Sequence, residues 1–259
     1  MWIERLARFG YTAKGIVYVI VGWLAVQAAF GQGGKTTDTK GALGAIAQQP
    51  FGKFLLGLMA FGLMGYVIWR FVQALRDPEH RGNDPDDIVR RIGYGISGLI
   101  YASLAITAIR LMMGAGTGSG NFQQTWTARL LSQPFGQWLV GLIGSIIIGY
   151  GFYQFYRAYK AKFRKQMKLQ EMSRTEANLA TQTGRFGITA RGIVFIIIGF
   201  FVIQAARHYN PSEVRGMDGA LQALVQQPYG PWLLGIVAFG LIAYGIHMFI
   251  QAQYQRINA

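Results

Sequence analysis

Cysteine is absent from the chain, which excludes a disulfide scaffold, a zinc finger and any thiolate-ligated metal. Charge is scarce as well: Asp, Glu, Lys and Arg together make up 14% of the residues, against about 25% in ordinary globular domains. Acidic residues are the rarer sign, eleven in all, and every one falls outside the long apolar runs. That removes the intramembrane carboxylate on which proton- and sodium-coupled carriers usually depend. Of the three histidines, His247 alone falls inside an apolar run. An axial or metal ligand needs partners, and no second histidine occupies an equivalent place. There is no Walker loop, no H-E-x-x-H and no G-x-S-x-G elbow, and no nucleophile pairs with a base. The chain therefore reads as non-enzymatic, with no cofactor and no metal expected.

What is present is apolar: 52% of the residues, with a mean hydropathy of +0.25. That composition suits a polytopic membrane protein. The net charge of +14 resembles the footprint of a nucleic-acid binder. Its placement argues against one, because most of the positive charge occupies short segments between apolar runs, as membrane topology requires.

An internal repeat organises the chain. Residues 8–29 (RFGYTAKGIVYVIVGWLAVQAA) and 185–206 (RFGITARGIVFIIIGFFVIQAA) agree at 13 of 22 positions, and 91–112 is a weaker copy. Each copy is followed by a short apolar-polar stretch, a Gln-Pro-aromatic-Gly tetrad and a second apolar run. The repeats span 1–75, 90–160 and 185–259, with a basic linker at 161–184. Spanning helices are expected near 11–30, 51–74, 93–112, 135–157, 188–206 and 229–252, each long enough for a hydrocarbon core of about 30 Å. The fold class is all-α: a polytopic bundle of six transmembrane helices in three tandem hairpins, related by a pseudo-threefold axis along the membrane normal.

Six crossings put both termini on one side. The segments on that side carry 18 of the 25 basic residues, so the positive-inside rule places the termini in the cytoplasm of a bacterial inner membrane. Residues 1–29 also resemble a secretory signal, but the same pattern recurs at 185–206, where no signal peptide acts. The stretch 75–92 reads as a compact loop. The stretch 157–184 contains no proline and is rich in helix formers, so the fourth spanning helix is expected to continue as a basic helix up to Gly184.

Three tandem helix pairs, each with a Q-P-[FY]-G corner, resemble the bacterial membrane family of domain of unknown function 1206, over nearly the whole chain. The resemblance implies an integral membrane fold of three helix pairs and brings no activity, substrate or site residue with it.

The corners are Gln49-Pro50-Phe51-Gly52, Gln133-Pro134-Phe135-Gly136 and Gln227-Pro228-Tyr229-Gly230. Pro50, Pro134 and Pro228, with Gly52, Gly136 and Gly230, are expected to turn a short interfacial helix into the second span. Proline would serve in that span's first turn, and the aromatic would lie at headgroup depth. Recurrent glycines (Gly15, Gly98 and Gly192; Gly57, Gly141 and Gly235; Gly65 and Gly149) are expected at helix contacts.

Lys14 and Arg191 occupy one repeat position, a turn inside the terminal end of their helices. They either snorkel to the headgroups or pair to bind an anionic phosphate, with Gln73, Arg157 and Gln251 nearby. Lys160, Lys162, Arg164, Lys165 and Lys168 would add attraction to anionic lipid at about 1 kcal/mol per charge. The leading function is a protein that organises anionic lipid or a membrane-protein partner through this basic face. The alternative is a passive channel or carrier along the pseudo-threefold axis. It would be lined by Gln49, Gln133 and Gln227 at an outer vestibule, Gln27, Arg110 and Gln204 beside them, and Tyr66, Tyr150 and Tyr244 deeper. Convergence of those polar groups on one axis separates the two.

Overall fold

A computed structural model describes residues 2–31, 36–76, 85–116 and 122–256. Its long helices are α1 (Trp2–Ala29), α3 (Gly52–Arg76), α4 (Pro85–Met112), α6 (Gly136–Tyr159), α7 (Arg174–Arg207) and α9 (Gly230–Tyr254). Three short helices precede the second span of each repeat: α2 (Thr39–Ala47), α5 (Phe122–Leu131) and α8 (Met217–Val225). The six long ones are apolar and long enough to cross a bilayer, and the chain is a multi-pass membrane protein. Helix is what such runs must form, since in lipid each backbone N–H and C=O needs a partner within its own segment. The start of α1 and the end of α9 lie at one end, the terminal end, where the Arg8 guanidinium of α1 donates to the Ala252 carbonyl of α9 at 2.7 Å.

The expected spans all occur, with two changes at the terminal end. Pro85 opens α4, so 85–92 is helix rather than loop; proline is tolerated at a first helical position. Residues 77–84 of the expected loop lie outside the described residues. The fourth span does not run on as a basic helix. It stops at Tyr159, Ala161 turns left-handed at φ 46°, and two 3-10 turns follow at Lys162–Gln166 and Leu169–Glu171. The extension belongs to α7, which starts at a capping box between Ser173 and Glu176 and passes straight through Gly184. Propensity favoured a helix over 160–172. The burial of Ala161, Phe163 and Met167 against the bundle overrides it.

The six spans form a ring that is open at one place. In order around it they run α4, α3, α1, α9, α7, α6, and α4 and α6 are not packed along each other. The most extensive joints lie between repeats rather than within them. Gly15 of α1 packs so closely on α9 that a Cβ would lie 2.9 Å from the Gly245 carbonyl and 2.8 Å from the Phe249 ring. Gly192 of α7 repeats this on α6, against the Gly151 carbonyl and Phe155, and Gly98 of α4 faces Phe71 of α3. These are equivalent positions, so one joint is built three times. Close backbone approach gains dispersion where lipid supplies no hydrophobic drive.

Within repeats the joint is made twice. Gly10 rests on the backbone of Tyr66, and Gly187 on that of its counterpart Tyr244. In the second repeat the matching Gly93 and Gly149 have nothing near them. The expected hairpin of α4 and α6 is thus splayed and the threefold arrangement incomplete. Gly141 and Gly149 touch nothing, Gly57 approaches only the Met112 sulfur and Gly235 only the Phe30 ring, so the series Gly57, Gly141 and Gly235 does not mark a helix joint.

Each Gln-Pro-aromatic-Gly tetrad is a tight turn. The amide of Gly52, Gly136 or Gly230 donates to the carbonyl of Gln49, Gln133 or Gln227 at 2.8–2.9 Å. The aromatics adopt φ of 61°, 61° and 60°. Proline at the second position and positive φ at the third describe a type II turn. Proline therefore lies before the span rather than in its first turn, as a correction to the expected placement. Glycine follows because the short helix ends against it: a Cβ on Gly136 would stand 1.9 Å from the Leu130 carbonyl oxygen. Phe51, Phe135 and Tyr229 stay more than three-quarters exposed, as an interfacial anchor should.

Candidate functional site: a tyrosine-lined cation cluster

Three helices bring cations together in the terminal third of the bundle. Lys14 lies 15 residues from the outer end of α1, about 22 Å at the helical rise, which leaves it inside a core of about 30 Å. The side chain does not snorkel; it is buried, with 4% of its surface exposed. Its ammonium donates to the Tyr66 hydroxyl at 2.9 Å and lies 4.8 Å from the ring centroids of both Tyr66 and Tyr101. The Tyr244 ring is 5.5 Å away.

Two arginine–tyrosine pairs flank it. Arg70, one turn beyond Tyr66 on α3, donates from Nε to the same hydroxyl at 2.8 Å and from Nη1 to Gln73 at 2.8 Å. Arg191 on α7 donates to the Tyr244 hydroxyl at 2.6 Å and stacks near Tyr18, Phe195 and Tyr244. Tyr66 and Tyr244 are repeat equivalents, so the cluster has an approximate symmetry with Lys14 between its halves. Edge-on pairs of Tyr66 with Tyr101 and of Tyr18 with Tyr244, each at 4.7 Å between centroids, hold the rings in place. Arg157 of α6 lies within electrostatic reach of Lys14, as do Arg70 and Arg191.

No described carboxylate takes part. Among the described residues, the ion pairs are Arg8 with Glu4, Lys168 with Glu171 and His208 with Glu213, all toward the ends of the bundle. Phenol hydroxyls and ring faces are what the cations have. Gln154, one turn beyond Tyr150, is fully buried, and neither its amide nitrogen nor its oxygen has a partner; Arg191 Nε is likewise unpaired. Tyr150, the third of the equivalent tyrosines, is exposed on α6 and meets Phe195 edge-on.

The linker closes the terminal end beneath this cluster. Phe163 is fully buried, packed edge-on against His247 at 4.9 Å and against Gly184. Met167 bridges to Gln255, and the Lys168 amide donates to the Tyr254 carbonyl at 2.8 Å. Lys160, Arg164 and Lys165 point away and remain exposed, while Lys162 and Lys168 are half-buried. Lys162 lies over the Tyr156 ring at 4.3 Å, and Lys168 pairs with Glu171 at 3.0 Å. Arg157 donates to the Gln166 side chain at 3.4 Å. An open cleft with Arg5 and Arg8 lies at the same end between α1 and α9.

The outer residues do not assemble. Gln49, Gln133 and Gln227 are exposed at their corners, Arg110 is exposed, and Gln27 and Gln204 are half-buried. Gln227 bonds only to its own helix, at the Ala223 carbonyl. Between them and the cation cluster most buried positions are apolar, among them Val21, Ala25, Leu56, Leu63, Ala108, Leu234 and Leu241, and the buried Thr107 turns its hydroxyl to the Ser103 carbonyl of its own helix at 2.9 Å. Of the tyrosine trio, Tyr66 and Tyr244 converge and Tyr150 stands at the open flank.

Lys14 and Arg191 both reach Tyr244, the one at its ring face and the other at its hydroxyl. Arg70, Tyr18 and Tyr101 went unrecognised. Their signal lay in register: Arg70 is one turn from Tyr66, and Tyr18 and Tyr101 are one turn from Lys14 and its equivalent Ser97, hence on the same faces. The sequence profile described as Domain of Unknown Function (DUF1206) matches residues 9–77, 92–161 and 186–255, one match per repeat. The uncharacterized protein YxxB of Bacillus subtilis (strain 168) is 41% identical over 257 residues, covering 99% of this chain and 93% of that protein. No solved structure matches.

Proposed function

For this chain, which belongs to the Domain of Unknown Function (DUF1206) family, we propose a non-enzymatic protein of the bacterial inner membrane, termini in the cytoplasm, that gathers anionic lipid or a protein partner on its basic face. The observation that carries this reading is the division of labour in 160–168. Ala161, Phe163 and Met167 are buried in the bundle, while Lys160, Arg164 and Lys165 are exposed at the rim. Each such charge attracts an anionic surface by about 1 kcal/mol. The apolar belt between the outer glutamines and the cation cluster supports a holding role over a conducting one, because a solute path needs polar groups at successive depths.

The test is native mass spectrometry of the full chain taken from nanodiscs of graded phosphatidylglycerol content. Bound anionic lipid rises with that content, and the triple variant K160Q/R164Q/K165Q recovers several-fold less. Equal recovery by the variant, or insensitivity to salt and anionic lipid, refutes the reading.

A further inference from the structure

Among the described residues, the bundle holds cations that no carboxylate pairs with, and their flank is open to lipid. Arginine keeps its proton in a protein, so Arg70 and Arg191 carry full charge within the membrane. Tyr66 accepts from both Lys14 and Arg70, and Tyr244 accepts from Arg191; among the described residues no carboxylate pairs with these cations to supply the negative charge that this arrangement calls for. Gln154 is buried with its amide unused, and Arg191 has a free Nε. Buried polar atoms of this kind ordinarily have partners.

The ring is open beside this cluster. Arg191, Arg70 and Tyr94 are half-buried there, Tyr150 is exposed, and Gly93 and Gly149 have nothing beside them. In the other two repeats the same joint is filled by helix packing. Here it leaves a gap between α4 and α6, at the depth of the leaflet on the terminal side.

We propose that a phosphate-type oxyanion binds inside the bundle between Lys14, Arg191 and Arg70, entering sideways between α4 and α6. Arg191 Nε and the Gln154 amide are the unused donors for its oxygens, and Arg157 adds charge from the closed end. A phospholipid headgroup and free phosphate share this chemistry. The proposal deepens the lipid reading above by giving it an interior seat, and for a lipid as the source it rests on that reading.

The experiment uses the detergent-purified full chain with two probes, phosphatidylglycerol and inorganic phosphate. Wild type retains one phosphatidylglycerol through delipidation in native mass spectrometry, R191Q retains it at least about tenfold less, as loss of a charge-assisted hydrogen bond implies, and K14R keeps it. If millimolar phosphate raises the thermal midpoint of wild type but not R191Q, and no lipid is retained, the site stands with the free ion as its ligand. Retention that phosphate does not displace assigns it to lipid. G93F, which narrows the opening at a position with free space, lowers lipid retention and leaves the phosphate effect intact. Should R191Q fail to fold, Q154L carries the same comparison with both probes, and G93F carries the lipid arm alone. Binding of neither probe, or equal binding by wild type and every interior variant, overturns the proposal. K160Q/R164Q/K165Q leaves the interior adduct in place, so failure of the rim reading is recognisable separately.

Discussion

At the scale of single residues, the Tyr66 hydroxyl holds two cations at once. Tyr66→Phe removes the acceptor of Lys14 and Arg70 without changing the ring, leaving the buried ammonium with π faces alone. A loss of about 1–3 kcal/mol is expected, read as a lower unfolding midpoint in detergent, while Tyr229→Phe at an exposed corner changes little. The glycines divide as sharply. Gly15→Ala drives a methyl against the Gly245 carbonyl and should cost about 1–3 kcal/mol. Gly141→Ala meets empty space and stays within about 0.5 kcal/mol of wild type. The same thermal assay decides both, and equal effects would contradict the joint as described. These two glycines look alike in sequence. Only the neighbour across the contact separates them, and that neighbour belongs to another repeat.

At the scale of elements, the corners and the linker show what local sequence encodes. Gln-Pro-aromatic-Gly was legible as a turn because proline and glycine punctuate it. The left-handed aromatic was not, since a type II turn usually places glycine or asparagine there. Phe51, Phe135 and Tyr229 accept that backbone cost, about 1–2 kcal/mol each, and the ring gains an interfacial position. The end of α6 was illegible for the opposite reason. No breaker lies between Arg157 and Gly184 on the linker's own account, and the helix stops because Phe163 finds a seat on His247 and Gly184. Phe163→Ala should therefore cost about 3–5 kcal/mol and free the linker. Limited proteolysis near Arg164 and Lys165 would speed up; unchanged cleavage would mean that Phe163 does not hold it.

At the scale of the whole molecule, six spans in three copies were readable from apolar runs and identities alone, because those are periodic properties of one chain. The partner of each helix was not. Hairpins suggested pairing within repeats, whereas the most extensive joints run between them, and one hairpin of the three is splayed. Thiols make this testable without background, since the chain has no cysteine. Ala13 and Gly62 are in contact across the first repeat's joint, and A13C/G62C should cross-link readily under mild oxidation. The equivalent pair in the second repeat, I96C/I146C, lies on two lipid-exposed faces and should remain reduced. Cross-linking of both pairs would show a closed ring.

The joint between α1 and α9 also fixes an order of events during synthesis. α1 is made before α9, its main partner, so the glycine face of α1 waits in the bilayer until α9 joins it. Nothing made earlier fills that place. A nascent chain cut short before α9 is left with the Gly15 and Gly22 face of its first helix unclaimed.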